Sequence, residues 1–166
     1  MTDVHLHLLI NHLPILGSLF ALVLGLYGAA RRQPSVVRAA FLTLIVSGVG
    51  SFAATRTGAG AEDAVEALPG VSEAILHEHE EAADVANSAA IALALLALGV
   101  LVWRRREPEI GTGPTVAVLL GAVVVFGLMA RTGNLGGQIR HTEIRAATAA
   151  DAEPGEAPSR VEHDDD

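Results

Sequence analysis

Four stretches of the chain are apolar for far longer than the core of a small soluble protein requires. The first runs from Leu6 to Ala30 and is interrupted only by His7, Asn11, His12 and Ser18. A helix of that length crosses a bilayer with some tilt. Arg31-Arg32-Gln33-Pro34 closes it, because proline cannot continue a helix. Ser35 to Thr55 forms the second stretch, with the small residues Ser47, Gly48, Gly50 and Ser51 placed for close helix approach. Thr57 to Gly70 reads as a Gly/Ala loop carrying Glu62, Asp63 and Glu66. A third helix is then predicted from an N-cap at Ser72 to Arg104, long enough for its polar first turns to stand clear of hydrocarbon. Thr115 to Ala130 is short for a crossing, so the fourth helix is expected to continue through Arg131 to about Ala147. No useful length of the chain alternates with the two-residue period of a strand.

The pattern predicts an all-α fold, a four-helix transmembrane up-and-down bundle over residues 1–148. From residue 149 to 166 the chain is Ala, Glu, Pro and Asp with almost no large apolar group. That composition predicts a disordered acidic tail. The opening Met1-Thr-Asp-Val-His has no basic region and no cleavage site behind its apolar run, so the first helix is read as retained.

Composition narrows the chemistry. Half of the 166 residues are hydrophobic (51%), and the mean hydropathy of +0.42 is that of a small polytopic membrane protein. Cysteine is absent, which excludes disulfides, iron–sulfur clusters, thiolate zinc sites and covalent c-type haem. All eleven basic residues are arginine, so lysine Schiff-base chemistry is excluded too. A net charge of −8 with no basic stripe argues against nucleic acid as a partner. There is no Ser–His–Asp, Walker or GxGxxG pattern to assign an enzyme class.

Arginine placement gives an orientation. Arg31, Arg32 and Arg38 lie by the first short loop and Arg104, Arg105 and Arg106 by the third, while the middle loop is mostly acidic. The positive-inside rule then predicts a multi-pass protein of the bacterial inner membrane with both termini on the non-cytoplasmic side.

Six of the seven histidines fall at one end of such a bundle: His5, His7 and His12 at the entrance of the first helix, His77 and His79 at that of the third, and His141 at the exit of the fourth. At about 100° per residue, His5 and His12 share one face and His7, Asn11 and Ser18 another. His77, Glu81, Asp84 and Ser88 make a polar stripe, while His79 heads Ala83, Ala86, Ala90 and Ala97. His141 stacks over Gly137, Asn134, Ala130 and Gly127. Neutral imidazole is the commonest protein ligand for transition metals and haem iron, and small residues beneath two imidazoles leave room for a flat macrocycle. Each histidine read singly is an ordinary helix cap or interfacial residue. The carboxylates Glu78, Glu80, Glu81 and Asp84 invite a di-metal reading, but the first two helices offer no matching carboxylate.

Leu6-His7-Leu8-Leu9-Ile10-Asn11-His12-Leu13-Pro14, Pro69 to Ala74 with His79-Glu80-Glu81-Ala82, and Ala130-Arg131-Thr132-Gly133-Asn134-Leu135-Gly136-Gly137 through His141 resemble a bacterial four-helix membrane family. It is filed as a domain of unknown function, with a His-x-Pro entrance and a Thr-Gly-x-Leu-Gly-Gly exit. The resemblance implies a role for His7, His12, His79 and His141, and haem or metal near respiratory proteins. This chain has Asn11-His12-Leu13-Pro14 at the entrance and Arg140-His141 at the exit, where many members carry a His-Pro pair and a tyrosine.

Three functions follow as expectations. The first is a b-type cytochrome-like electron-transfer subunit, with His12, His79 and His141 as haem or metal ligands and His7 as ligand or supporting partner. Arg131 and Arg140 would meet the haem propionates. The second is a non-catalytic accessory or assembly subunit of a larger membrane complex. The third places copper or another transition-metal ion on the same histidines. Partners would be the bilayer, other membrane subunits, or a soluble redox protein on the non-cytoplasmic side.

Overall fold

A computed structural model describes residues 2–145; the acidic segment 149–166, including His163, lies outside them. Every regular element among the described residues is helical: α1 (Asp3–Ile10), α2 (His12–Ala30), α3 (Pro34–Ala59), α4 (Glu62–Glu66), α5 (Glu73–Trp103) and α6 (Thr112–Arg140). Four spans are long and apolar enough to cross a membrane: Asp3–Ala30, Pro34–Ala59, Glu73–Trp103 and Thr112–Arg140.

The split between α1 and α2 has a local cause. Pro14 has no N–H to donate to the carbonyl of Ile10, and α1 ends at Ile10. Asn11 between them stays in the right-handed region, so the chain runs on with little change of direction. Thr2 caps α1 by accepting from the amide of His5 at 3.4 Å. Pro34 opens α3 at its first turn, where a missing N–H is harmless. Ser72 does stand at the N-cap of α5, but its side chain makes no capping bond there.

The spans pack as an antiparallel ring, in which α2 touches α3 and α6, and α5 touches α3 and α6. Small residues set the spacing. A Cβ on Gly48 would come within 2.5 Å of the Ala94 methyl, and one on Gly17 within 2.9 Å of Ser47 Cβ. Hydroxyls join helices inside the bundle: Ser47 donates to the Pro14 carbonyl (3.0 Å) and Ser51 to Asn87 Oδ1 (3.0 Å). Outward faces are apolar even at mid-helix, with Val49 66%, Leu95 63% and Leu120 64% exposed. A surface of that kind suits lipid rather than water. At 31 residues α5 is about 46 Å long against a hydrocarbon core of about 30 Å, so its first turns overshoot.

Two boundaries differ from the pattern-based reading. The expected Gly/Ala loop over Thr57–Gly70 is partly helical: α3 continues to Ala59 and α4 follows, with Ala61 buried at 5% exposure. Gly58 and Gly60 there serve close packing, lying against His7 and Asp3, while Gly70 takes the turn with φ +79°. At the other exit α6 stops at Arg140, where His141 leaves the helical region (φ −97°, ψ 85°). Arg145 then folds back, donating to the carbonyls of Gln138 and Ile139 and to that of Gly70. The fourth helix was expected to run to about Ala147, and the last two residues of that stretch lie outside the described ones.

Candidate functional site

The antiparallel ring brings the start of α1, the end of α3, the start of α5 and the end of α6 to one end of the bundle, and six histidines with them. They divide into two kinds.

His7 and His79 reach across to a neighbouring helix. His7 Nδ1 is 2.9 Å from the Ala54 carbonyl on α3, and its ring lies on Gly58, where a Cβ would be 3.1 Å from Cε1. His79 Nδ1 is 3.0 Å from the Thr132 carbonyl on α6, and its ring lies on Gly136, where a Cβ would be 3.0 Å from Cε1. Each imidazole thus sits on a carbonyl and on the glycine one turn further along. A carbonyl oxygen only accepts, so Nδ1 carries the hydrogen in both rings. In the neutral imidazole this leaves the lone pair on Nε2, the arrangement found where a histidine ligates through Nε2 and is steadied through Nδ1. Both residues are half-buried. One turn inward from His7, Asn11 Oδ1 is buried with no hydrogen-bond partner among the described residues.

The other histidines are exposed. His5 bonds locally to Thr2 Oγ1 (2.9 Å). His77 pairs with Glu81 (3.4 Å) on the polar stripe that the helical spacing predicts. His12 begins α2 on the outward face it shares with His5. His141 pairs with Glu143 at 2.8 Å. The Glu143 carboxyl is held below its ordinary range, first by its own backbone amide and then by His141. The residues beneath His141 (Gly137, Asn134, Ala130, Gly127) line a half-exposed to exposed face of α6, whereas of those beneath His79 only Ala83 is half-buried and Ala86, Ala90 and Ala97 are buried against the other helices. Arg131 and Arg140 are both exposed. No group of three or more histidine, cysteine, aspartate or glutamate side chains placed to hold an ion occurs among the described residues, so His12, His79 and His141 are not assembled into one.

A signal for the clasped pair was present in the sequence and was not read there. His-x-His occurs twice, at His5-Leu6-His7 and His77-Glu78-His79, and each is followed one helix later by Arg-Thr-Gly, at Arg56-Thr57-Gly58 and Arg131-Thr132-Gly133. In both halves the second histidine of the pair is the one that reaches across.

The family described as "Predicted membrane protein (DUF2231)" matches residues 4–144, and the chain belongs to it. No curated protein and no solved structure matches the chain.

Proposed function

We propose that this member of the DUF2231 membrane family is a haem- or metal-binding protein whose cofactor site is the histidine end of the bundle, serving as an electron-transfer subunit of a redox complex. The observation that carries the reading is the matched pair His7 and His79, each fixed through Nδ1 on a carbonyl with Nε2 left to bind. A structural imidazole buried to satisfy itself has no need to present the same free nitrogen twice. Haem b is the preferred cofactor and copper or another transition-metal ion the alternative, in line with the absence of thiolate ligands.

The arginine-rich loops at the far end favour a bacterial inner-membrane protein with both termini and the histidine end outside the cytoplasm. There it would exchange electrons with a soluble redox protein or with other membrane subunits. Arg131 and Arg140, exposed near the same end, are free to meet propionates or an acidic partner. One observation favours the accessory-subunit reading instead: Gly127 and Ala130 form an exposed small-residue strip on α6, with nothing within 4 Å of where a Gly127 Cβ would be, a face suited to another helix. The optical spectrum of the detergent-purified protein separates the two. Bound haem gives a Soret band with sharp α and β bands on reduction, and an elemental analysis detects copper. A featureless spectrum with no metal leaves the accessory reading.

A further inference from the structure

The molecule is a duplicated helical hairpin. Its first half (α1 to α3) and second half (α5 and α6) repeat the same packing as well as the His-x-His and Arg-Thr-Gly motifs. The buried positions Pro14, Ser18, Ala21 and Gly25 of α2 correspond to the buried Ala86, Ala90, Leu93 and Ala97 of α5, each pair 72 residues apart, the separation of His7 and His79. The buried Ala40, Leu44, Ser47 and Ser51 of α3 correspond to Val118, Ala122, Val125 and Met129 of α6, each pair 78 residues apart. The same separation relates the two histidine seats, Ala54 with Gly58 and Thr132 with Gly136. The contacts between halves obey the same exchange, since α2 packs on α6 as α5 packs on α3. The Arg-Thr-Gly motifs are 75 residues apart, a slip of just under one turn against this packing register.

From this two-fold relation, and resting on the reading of the histidine end as a cofactor site, the geometry points to one haem iron held between the halves, with His7 and His79 as its two equivalent axial ligands. The two histidines come from diagonally opposite spans, and each is locked by its own hairpin at the equivalent register. A bare zinc or copper ion in protein is ordinarily held by three or four side chains, and no third ligand group is assembled here among the described residues. Haem iron takes four nitrogens from its own macrocycle and only one or two ligands from the protein, so a pair of imidazoles completes it. Coordination is through the Nε2 lone pairs, while both Nδ1 hydrogens stay on their carbonyls. His12 and His141, which have no counterpart in the other half at the matching registers, are not ligands.

The test is titration of the full chain in detergent with haemin, before and after reduction by dithionite, with copper(II) chloride titrated in parallel. The wild type is expected to bind one haem as a six-coordinate low-spin complex. His7→Ala and His79→Ala should each lower affinity at least tenfold and convert residual haem to high spin, and added imidazole should restore the low-spin spectrum. His7→Asn and His79→Asn keep an N–H at the position of Nδ1 for the carbonyl clasp and so guard against unfolding, and they should lose low-spin haem as fully as the alanine variants. His12→Ala and His141→Ala should stay within twofold of wild type. Haem binding that depends on His12 or His141, or on only one of the clasped pair, overturns this assignment and leaves the proposed function standing. One copper per chain with no haem overturns the tetrapyrrole. A wild type that binds neither overturns both.

Discussion

The two ends of the bundle are tied by opposite logic. At the histidine end the cross-helix bonds run within each half: His7 joins α1 to α3 and His79 joins α5 to α6. At the arginine end the tie runs between halves, where the Arg38 guanidinium on α3 donates to the carbonyls of Arg104 (3.0 Å) and Glu107 (2.7 Å) just past α5. The halves are therefore tied at the arginine end and, through Ser51 and Asn87, inside the bundle, while at the histidine end each half presents its imidazole as a finished unit. A ligand lying between the halves meets two rigid groups without breaking a bond that joins them. The arginine end has its own open cavity of about 430 Å³, lined by Arg32, Gln33, Glu109 and Thr112, with no histidine near it.

That contrast is most severely broken from the middle, where both ends depend on the same packing. Gly48→Leu places a side chain where even a Cβ would lie 2.5 Å from the Ala94 methyl. The cost is expected at about 3 kcal/mol or more of bundle stability, with cofactor binding lost in the same step. Unfolding in mixed detergent, followed by circular dichroism, measures it.

Arg38→Ala tests whether the arginine end is the tie. Two charge-assisted bonds to carbonyls go, and because the groups are only part-buried the expected loss is about 1–3 kcal/mol. Haem or metal affinity at the far end should change little. A large fall in affinity with unchanged unfolding would show that the ends are not independent.

Gly58→Ala and Gly136→Ala sharpen the equivalence of the two seats. Each puts a methyl 3.0–3.1 Å from a histidine Cε1, so the ring must give by a few tenths of an ångström. Losses below about 1 kcal/mol in stability are expected. Any fall in haem affinity should be similar for the two variants, read by the same titration.

The smallest effects belong to the exposed histidines. His77→Ala and His141→Ala remove exposed surface pairs, and the unfolding midpoint should stay close to that of the wild type. For Glu143 the sign is fixed: a depressed carboxyl pKa gives stabilisation that is present above the unfolded value and is lost as pH falls through the folded one. His141→Ala should move the Glu143 titration up toward the ordinary carboxylate range, by NMR, while leaving part of the depression due to its own amide.

The helical faces at the histidine end are legible in the sequence. The angular spacing of His7 with Asn11 and Ser18 separated it from His5 and His12, and the structure buries the first face and exposes the second. The stripe of His77 with Glu81 was correctly separated from His79 for the same reason. What spacing along one helix could not give was the partner of each ring. His12 and His141 sit at the same end as His7 and His79, and only the packing of neighbouring helices distinguishes an imidazole seated on a carbonyl and a glycine from one left in the open. The small-residue rows beneath His79 and His141 look alike in one dimension, yet one is buried and the other half-open.

The sequence by itself determined the four helices, their ends at Pro34, Ser72 and the arginine clusters, and the gathering of histidines at one end, because hydrophobic length, proline chemistry and helical period are local properties of the chain. The break at Ile10 was also written there, in Pro14. Tertiary structure alone decided that Gly58 and Gly136 would be seats rather than turns, and that His7 and His79 would be the pair clasped by a neighbouring helix. Those outcomes depend on how closely two helices approach and at what register, which is set by contacts between residues some fifty positions apart.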